Sequence, residues 1–383
     1  MPSSTTDPGG STAATASSTA ADSSTGVAAA CSDSPDALAD CVQEDLYLAS
    51  LEFVAQTRSP TEPHWQVVQD HLAEQLAEFG YEVELDVYDT GVNVIGRLRG
   101  TLGTSDVLVS AHYDSVSDCQ GADDNAGGVA GALEAARVLA MGEYEQDLVI
   151  AFWDQEELGL IGADSYVERA FERGDSIAAL YNLEMIGYTD DSPGAQTIPA
   201  GFDALFPVGY AQIEDNELRG DFITVVADDL IAEGAAALLA QAERLDLPAV
   251  HIELNADLKN NPQPPDLRRP DHAPFWEVDY PALMSTDPSA PRVPHDHRGP
   301  APAASATCRA APPRAAPPGP RPRARPCPRA RAVRAGDGPA GVRSAGARAR
   351  RRSAVPARPR AWRAALRLRR RAGPPRRSRA APV

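Results

Sequence analysis

Apolar positions along the chain recur with two different periods, and each period names an element. Over Ala37 to Gln56 and Trp65 to Phe79 they fall at helical spacing, with Gly80 placed to stop the second helix. Tyr81 to Val87 and Val92 to Arg97 alternate like a half-exposed strand pair joined through Thr90-Gly91. Asp106 to Ala111 and Asp147 to Trp153 are short, mostly apolar runs, the pattern of central strands buried on both faces. The small-residue stretch Gly127 to Met141 between them predicts a helix able to lie close on a sheet. Further on, Ala178 to Leu183 and Phe222 to Val226 predict strands, Asp229 to Leu245 a helix and Ala282 to Met284 a last short strand. This order of elements implies a three-layer α/β/α sandwich around a mixed, mostly parallel central sheet, in a single catalytic domain spanning 37–297. Sheets of this kind bind ligands beyond the carboxyl ends of their strands, so the polar residues after each buried run carry the functional expectation.

Composition changes the picture at both ends. The chain has 383 residues and a net charge of -18, yet residues 1–297 hold 12 Lys/Arg against 53 Asp/Glu, and residues 298–383 hold 24 Arg against the single acid Asp337. The 298–383 segment is rich in Arg, Pro and Ala and too poor in large apolar groups to build a core, so it reads as a disordered tail. Its vocabulary begins abruptly after His297, as out-of-frame translation of GC-rich DNA does, and a frameshift product is the favoured reading. A nucleic-acid-binding role for the arginines is the alternative, opposed by the acidic body and by the lack of any base-stacking platform near them. Residues 1–36 read as a flexible Ser/Thr/Ala-rich leader without a visible signal peptide or apolar span. A stalk of this kind suits a secreted or cell-envelope protein. Cys31 and Cys41 would close a short loop in an oxidising compartment and remain free thiols in a reducing one.

The ends of the predicted strands are unusually rich in metal-ligating side chains. After the first buried run come His112 and Asp114, two apart and hence on one side of an extended chain, the arrangement in which a carboxylate steadies a ligating imidazole. Asp123 and Asp124 follow in a glycine-flanked turn just before a helix, a place that a plain N-cap would also occupy. The next strand runs into Glu156-Glu157. Adjacent side chains point different ways, so one carboxylate can bind a metal while the other stays free to take a proton. A further strand delivers Glu184, and Asp271-His272 and His295-Asp296-His297 supply three of the seven histidines. Hard and borderline donors of this type suit two Zn²⁺ ions with one carboxylate bridging, and would also accept Mn²⁺ or Co²⁺.

The strings SAHYDS, GADDNAGGVAGALEAARVLA, FWDQEELGLIGA, NLEMIG and DHAPFW, in this order and spacing, resemble the dizinc aminopeptidase family that also contains glutamate carboxypeptidase II and the glutaminyl cyclases. The resemblance implies two zincs per chain. His112 and Glu184 would hold one and Glu157 and His297 the other, with Asp124 between them and His295 competing for the place of His297. Glu156 would be the general base and Asp114 would orient His112. A cis peptide is implied between Asp124 and Asn125. Glu184 stands where many members have Asp, and Asp296 where many have Tyr. The implied reaction is hydrolysis of the N-terminal peptide bond of a peptide with a free N-terminus by a metal-bridging water. A one-zinc glutaminyl cyclase-like acyltransferase is the rival reading. Oligomeric state and side-chain preference are not legible at this level.

Overall fold

A computed structural model describes residues 35–259 and 265–288; residues 1–34 of the 1–36 leader, the 298–383 tail, His295 and His297 lie outside the described residues. In chain order the principal elements are α1 (Pro35–Ala39), α2 (Glu44–Val54), α3 (Pro63–Glu78), β1 (Glu82–Val87), β2 (Val92–Leu98), β3 (Asp106–His112), α4 (Gly128–Leu139), β4 (Asp147–Trp153), α5 (Ile161–Arg173) and β5 (Ile177–Leu183). They continue through α6 (Phe202–Leu205), α7 (Pro207–Asp215), β6 (Ile223–Asp228), α8 (Ala232–Arg244), β7 (Ala249–Leu254), α9 (Ala256–Lys259), α10 (Ala273–Glu277) and β8 (Ala282–Thr286). Among the described residues, no helix is long and apolar enough to cross a membrane.

The eight strands form one sheet in the order β1-β2-β4-β3-β5-β8-β6-β7. β4, β3, β5 and β8 run parallel, while β2 pairs antiparallel to β4 and β6 antiparallel to β8. Strand alternation divides the side chains between two helical layers. On one face, Val94, Ala111, Ile150 and Phe152 pack with Val68, Leu72 and Leu76 of α3 and with Val129, Ala132 and Leu133 of α4. Farther along the same face, Ala179, Val225 and Leu283 meet Ala235 of α8. The opposite face carries α5 and α10, where Trp153 lies 5.0 Å from Tyr166 and 6.0 Å from Phe275 between ring centroids. β4 is buried at every position, as its unbroken apolar run requires.

Local sequence accounts for most boundaries. Pro63 starts α3, where its missing N–H costs nothing, and Gly80, at φ +93°, ends it in a conformation that side chains with a Cβ resist. The helix predicted over 37–56 is instead two helices. The chain turns at Asp40–Gln43 because Cys41 packs inward beside Val138, its carbonyl accepts from Arg137 Nη2 at 2.7 Å, and Gln43 N–H donates to Glu134 Oε1 at 2.6 Å. Cys41 and Cys119 are each disulfide-bonded; Cys31 lies outside the described residues.

Candidate metal centre

β3 lies between β4 and β5, and the connection from β4 to β5 passes back across it, so the chain reverses its direction of travel through the sheet at this point. A crevice opens at such a reversal, beyond the carboxyl ends of the strands. The three strands deliver His112, Glu156 with Glu157, and Glu184 to that edge, and the turn preceding α4 adds Asp124. All five are buried.

His112 organises the group. Its Nδ1 is 3.2 Å from Asp114 Oδ1, so Nδ1–H donates to the carboxylate and Nε2 is left facing Asp124 Oδ1 at 3.1 Å and Glu184 Oε1 at 3.5 Å. A tetrahedral zinc with bonds near 2.0–2.1 Å separates its ligand atoms by about 3.3 Å, so this donor set fits the ion in both chemistry and spacing. The described residues form two candidate metal-binding clusters, His112–Asp124–Glu184 and His112–Glu156–Glu157, consistent with a dizinc centre. Asp114 also accepts the Glu156 N–H at 3.0 Å through Oδ1 and the Glu157 N–H at 3.3 Å through Oδ2. One carboxylate thereby fixes both the imidazole and the backbone carrying the two glutamates.

The backbone around these side chains is held under strain. Gln155, at φ 59°, and Met185, at φ 51°, occupy left-handed conformations immediately beside Glu156 and Glu184. Gln155 is tied down by donating Nε2–H to Thr90 O at 2.6 Å and accepting from Thr90 Oγ1 at 2.9 Å. Asp154, one residue earlier, accepts from Trp65 Nε1 at 2.9 Å and from Val92 N–H at 3.0 Å. The Asp124-Asn125 peptide is cis. Asn125, which the sequence marked only for the cis peptide, joins the Asp124 turn to the end of β5. Its Nδ2 donates to Leu183 O at 2.9 Å and Glu184 Oε2 at 3.3 Å, and its Oδ1 accepts from Gly128 N–H at 3.0 Å and Met185 N–H at 3.1 Å.

Electrostatics mark the same edge. Burial pushes Glu156 well above the ordinary carboxylate range; the charges of Glu184, Glu157 and Asp271 add to that shift and His112 opposes it. Glu157 and Glu184 move upward for the same leading reason. Burial disfavours charge on His112, but Glu184, Asp114 and Asp124 outweigh it and hold the imidazole well above its usual value. Asp271 is fully buried with neither carboxylate oxygen hydrogen-bonded, and burial raises it too. His272 stands apart from the cluster. Its Nε2 lies 3.0 Å from Leu267 O, its ring meets Trp276 edge-on at 4.2 Å, and burial pushes its pKa down to about 3.

An apolar cavity of about 170 Å³ adjoins the cluster on the α5 and α10 side of the sheet. Asp124, Glu156 and Glu184 line one part of it, and Phe202, Phe206, Val226, Ile252 and Met284 line the rest. Nothing in the sequence announced it, because its wall combines alternate residues of β6, β7 and β8 with a segment near residue 200.

Residues 93–208 match the family described as Peptidase family M28. That span includes His112, Asp114, Asp124, Glu156, Glu157 and Glu184, the whole of the described cluster. Over that span the chain is similar to peptidase family M28. The chain is 33% identical over 199 residues to the uncharacterized protein YfbL of Escherichia coli (strain K12), covering 47% of this chain and 55% of that protein. It is 34% identical over 149 residues to an aminopeptidase of Pseudomonas aeruginosa, covering 34% of this chain and 28% of that one. It thus spans about half of the first relative's length and about a quarter of the second's. The crystal structure of the Legionella pneumophila LapA aminopeptidase superposes with a TM-score of 0.49 at 15% identity, covering 72% of this chain and 66% of that one.

Proposed function

We propose that the chain is a zinc-dependent exopeptidase that removes N-terminal residues with apolar side chains from peptides. The observation that carries this reading is the junction of a buried His/Asp/Glu cluster with an apolar cavity. On this reading His112 and Glu184 would hold one zinc, Glu157 and His297, the latter outside the described residues, would hold the other, and Asp124 would be shared between them. When bound, a zinc pair lowers the pKa of a shared water and polarises the scissile carbonyl. Glu156, raised by burial, accepts a proton from the attacking water on its carboxylate and returns it to the leaving amine. Asp114 keeps His112 in the tautomer that presents Nε2 and holds the Glu156–Glu157 turn in place. The cavity takes the side chain of the first residue. At about 170 Å³ it is close to the size, about 150 Å³, at which an engineered apolar cavity binds benzene, so leucine- and phenylalanine-sized groups suit it. Disulfides at Cys41 and Cys119 support a secreted or cell-envelope location.

A panel of aminoacyl-anilides, assayed before and after chelation and again after adding Zn²⁺, tests the reading. Turnover of Leu- and Phe-anilides should vanish with chelator and return with zinc. Persistence in chelator, or cyclisation of N-terminal glutamine with one zinc per chain, would overturn it.

A further inference from the structure

Two Lys/Arg side chains are buried among the described residues, and only one has a carboxylate partner. Lys259 Nζ is 2.7 Å from Asp228 Oδ2. Arg58, fully buried, takes part in no ion pair among the described residues and spends its donors on backbone carbonyls. Nε donates to Tyr113 O at 2.8 Å, Nη1 to Gln120 O at 2.6 Å, Gln56 O at 3.2 Å and Val54 O at 3.3 Å, and Nη2 to Gly121 O at 2.9 Å. Its own N–H donates to Ser115 Oγ at 3.1 Å.

Three of these five carbonyls belong to the backbone of the metal centre. Tyr113 lies between His112 and Asp114, and Gln120 and Gly121 begin the turn that presents Asp124. The turn passes directly over the guanidinium: a Cβ on Gly121, whose φ is +52°, would fall 2.2 Å from Asp124 O and 3.0 Å from Arg58 Nη2. Burial lowers the Arg58 pKa to about 10, against the opposing charges of Asp114, Asp124 and Glu157, and a guanidinium with that value is still a cation at neutral pH.

We propose that Arg58 is the resident counter-charge of the acid cluster, a positioning residue whose fixed cation offsets the buried carboxylates before zinc binds and competes with zinc once it does. The proposal rests on the zinc reading above. Two cations facing the same carboxylates oppose each other, and the coupling is reciprocal: whatever Arg58 contributes to the metal-free state it subtracts from zinc affinity. A residue that only ties loops together would stabilise both states alike.

The test compares melting temperatures of the full chain as wild type, R58M and R58K, each with chelator and with saturating Zn²⁺. R58K keeps the charge but cannot span five carbonyls, so both of its melts should fall while the zinc-induced rise stays at the wild-type value. R58M should lose more in chelator than in zinc, enlarging the zinc-induced rise by about 3 °C or more. Its zinc Kd, read by competition with a chelating dye, should be roughly tenfold tighter than that of R58K. R58M folding only in the presence of zinc is the extreme of the same result, and R58Q, which keeps an amide donor, repeats the comparison with less damage to the backbone contacts. Equal losses in both states for R58M and R58Q, or a smaller zinc-induced rise, would overturn the proposal. A wild-type chain whose melt ignores zinc would instead overturn the metallopeptidase reading.

Discussion

β3 and β4 carry acidic groups at or just beyond both ends, and the two ends treat them in opposite ways. At the amino ends, Arg97 grips Asp106 at 2.6 and 2.9 Å and reaches Asp147 at 3.3 Å, while Arg99 meets Asp147 at 3.0 Å. Burial works against charge on Asp147, yet the Gly100 N–H and both guanidiniums hold its pKa below the usual value. At the carboxyl ends, Asp124 and Glu184 meet His112 at 3.1 and 3.5 Å, and burial drives Glu156, Glu157 and Glu184 upward. A carboxylate cluster with counter-charges in contact is a structural fastening. A cluster in which one buried imidazole meets several carboxylates has acid to spare and is suited to receive a cation from solution.

Four measurements would break or sharpen this contrast. Glu156→Gln should lower kcat/KM for a Leu-anilide by about 10²–10⁴-fold with zinc content unchanged; near-wild-type turnover would remove Glu156 from the proton-transfer role. Asn125→Ala, which leaves the ligands in place but frees the Glu184 carboxylate and the end of β5, should weaken zinc binding about 10–100-fold in a dye competition. Val226→Phe, which narrows the cavity, should shift the ratio of Leu- to Ala-anilide turnover toward Ala by about tenfold, a change no altered metal affinity would produce. The smallest effect belongs to the other end of the strands. Asp147→Asn should cost about 1–2 kcal/mol in urea unfolding and leave zinc affinity untouched, since Arg97 keeps Asp106. Because the folded-state pKa of Asp147 is depressed, its contribution is fully present above about pH 4, the unfolded value, and is lost as pH falls through the folded one. Wild type and variant should therefore converge in stability below that point.

The contrast also separates what the chain announced from what it concealed. β4 was legible residue for residue, because seven consecutive buried positions leave an unbroken apolar run bounded by Asp147 and the Asp154 turn. His112, Asp124, Glu156, Glu157 and Glu184 were legible because each follows such a run or a glycine-flanked turn. β7 was not predicted although Val250, Ile252 and Leu254 alternate with His251 and Glu253 as in a half-exposed strand; the run is only six residues long and directly follows Pro248. α5 was not predicted although Gly162, Ala163, Tyr166, Val167 and Ala170 are all buried at helical spacing, because Asp164, Glu168, Arg169, Glu172 and Arg173 make Ile161–Arg173 polar on average. Arg58 and Asn125 were not legible by this route. They act through backbone carbonyls 55 to 63 residues away for Arg58, and 58 residues away for Asn125, and a hydrogen bond to a carbonyl leaves no signature in the identity of the residue that supplies it.

The complete enclosure of β4 reaches beyond packing. Amides in a strand flanked on both sides by others, with no residue open to water, trade hydrogen for deuterium only when the whole domain opens, whereas β1 at the margin, with Leu85 and Val87 exposed, exchanges through local fraying. The Glu156–Glu157 turn grows directly out of this enclosed strand, so those glutamates should keep their relative placement through fluctuations short of unfolding.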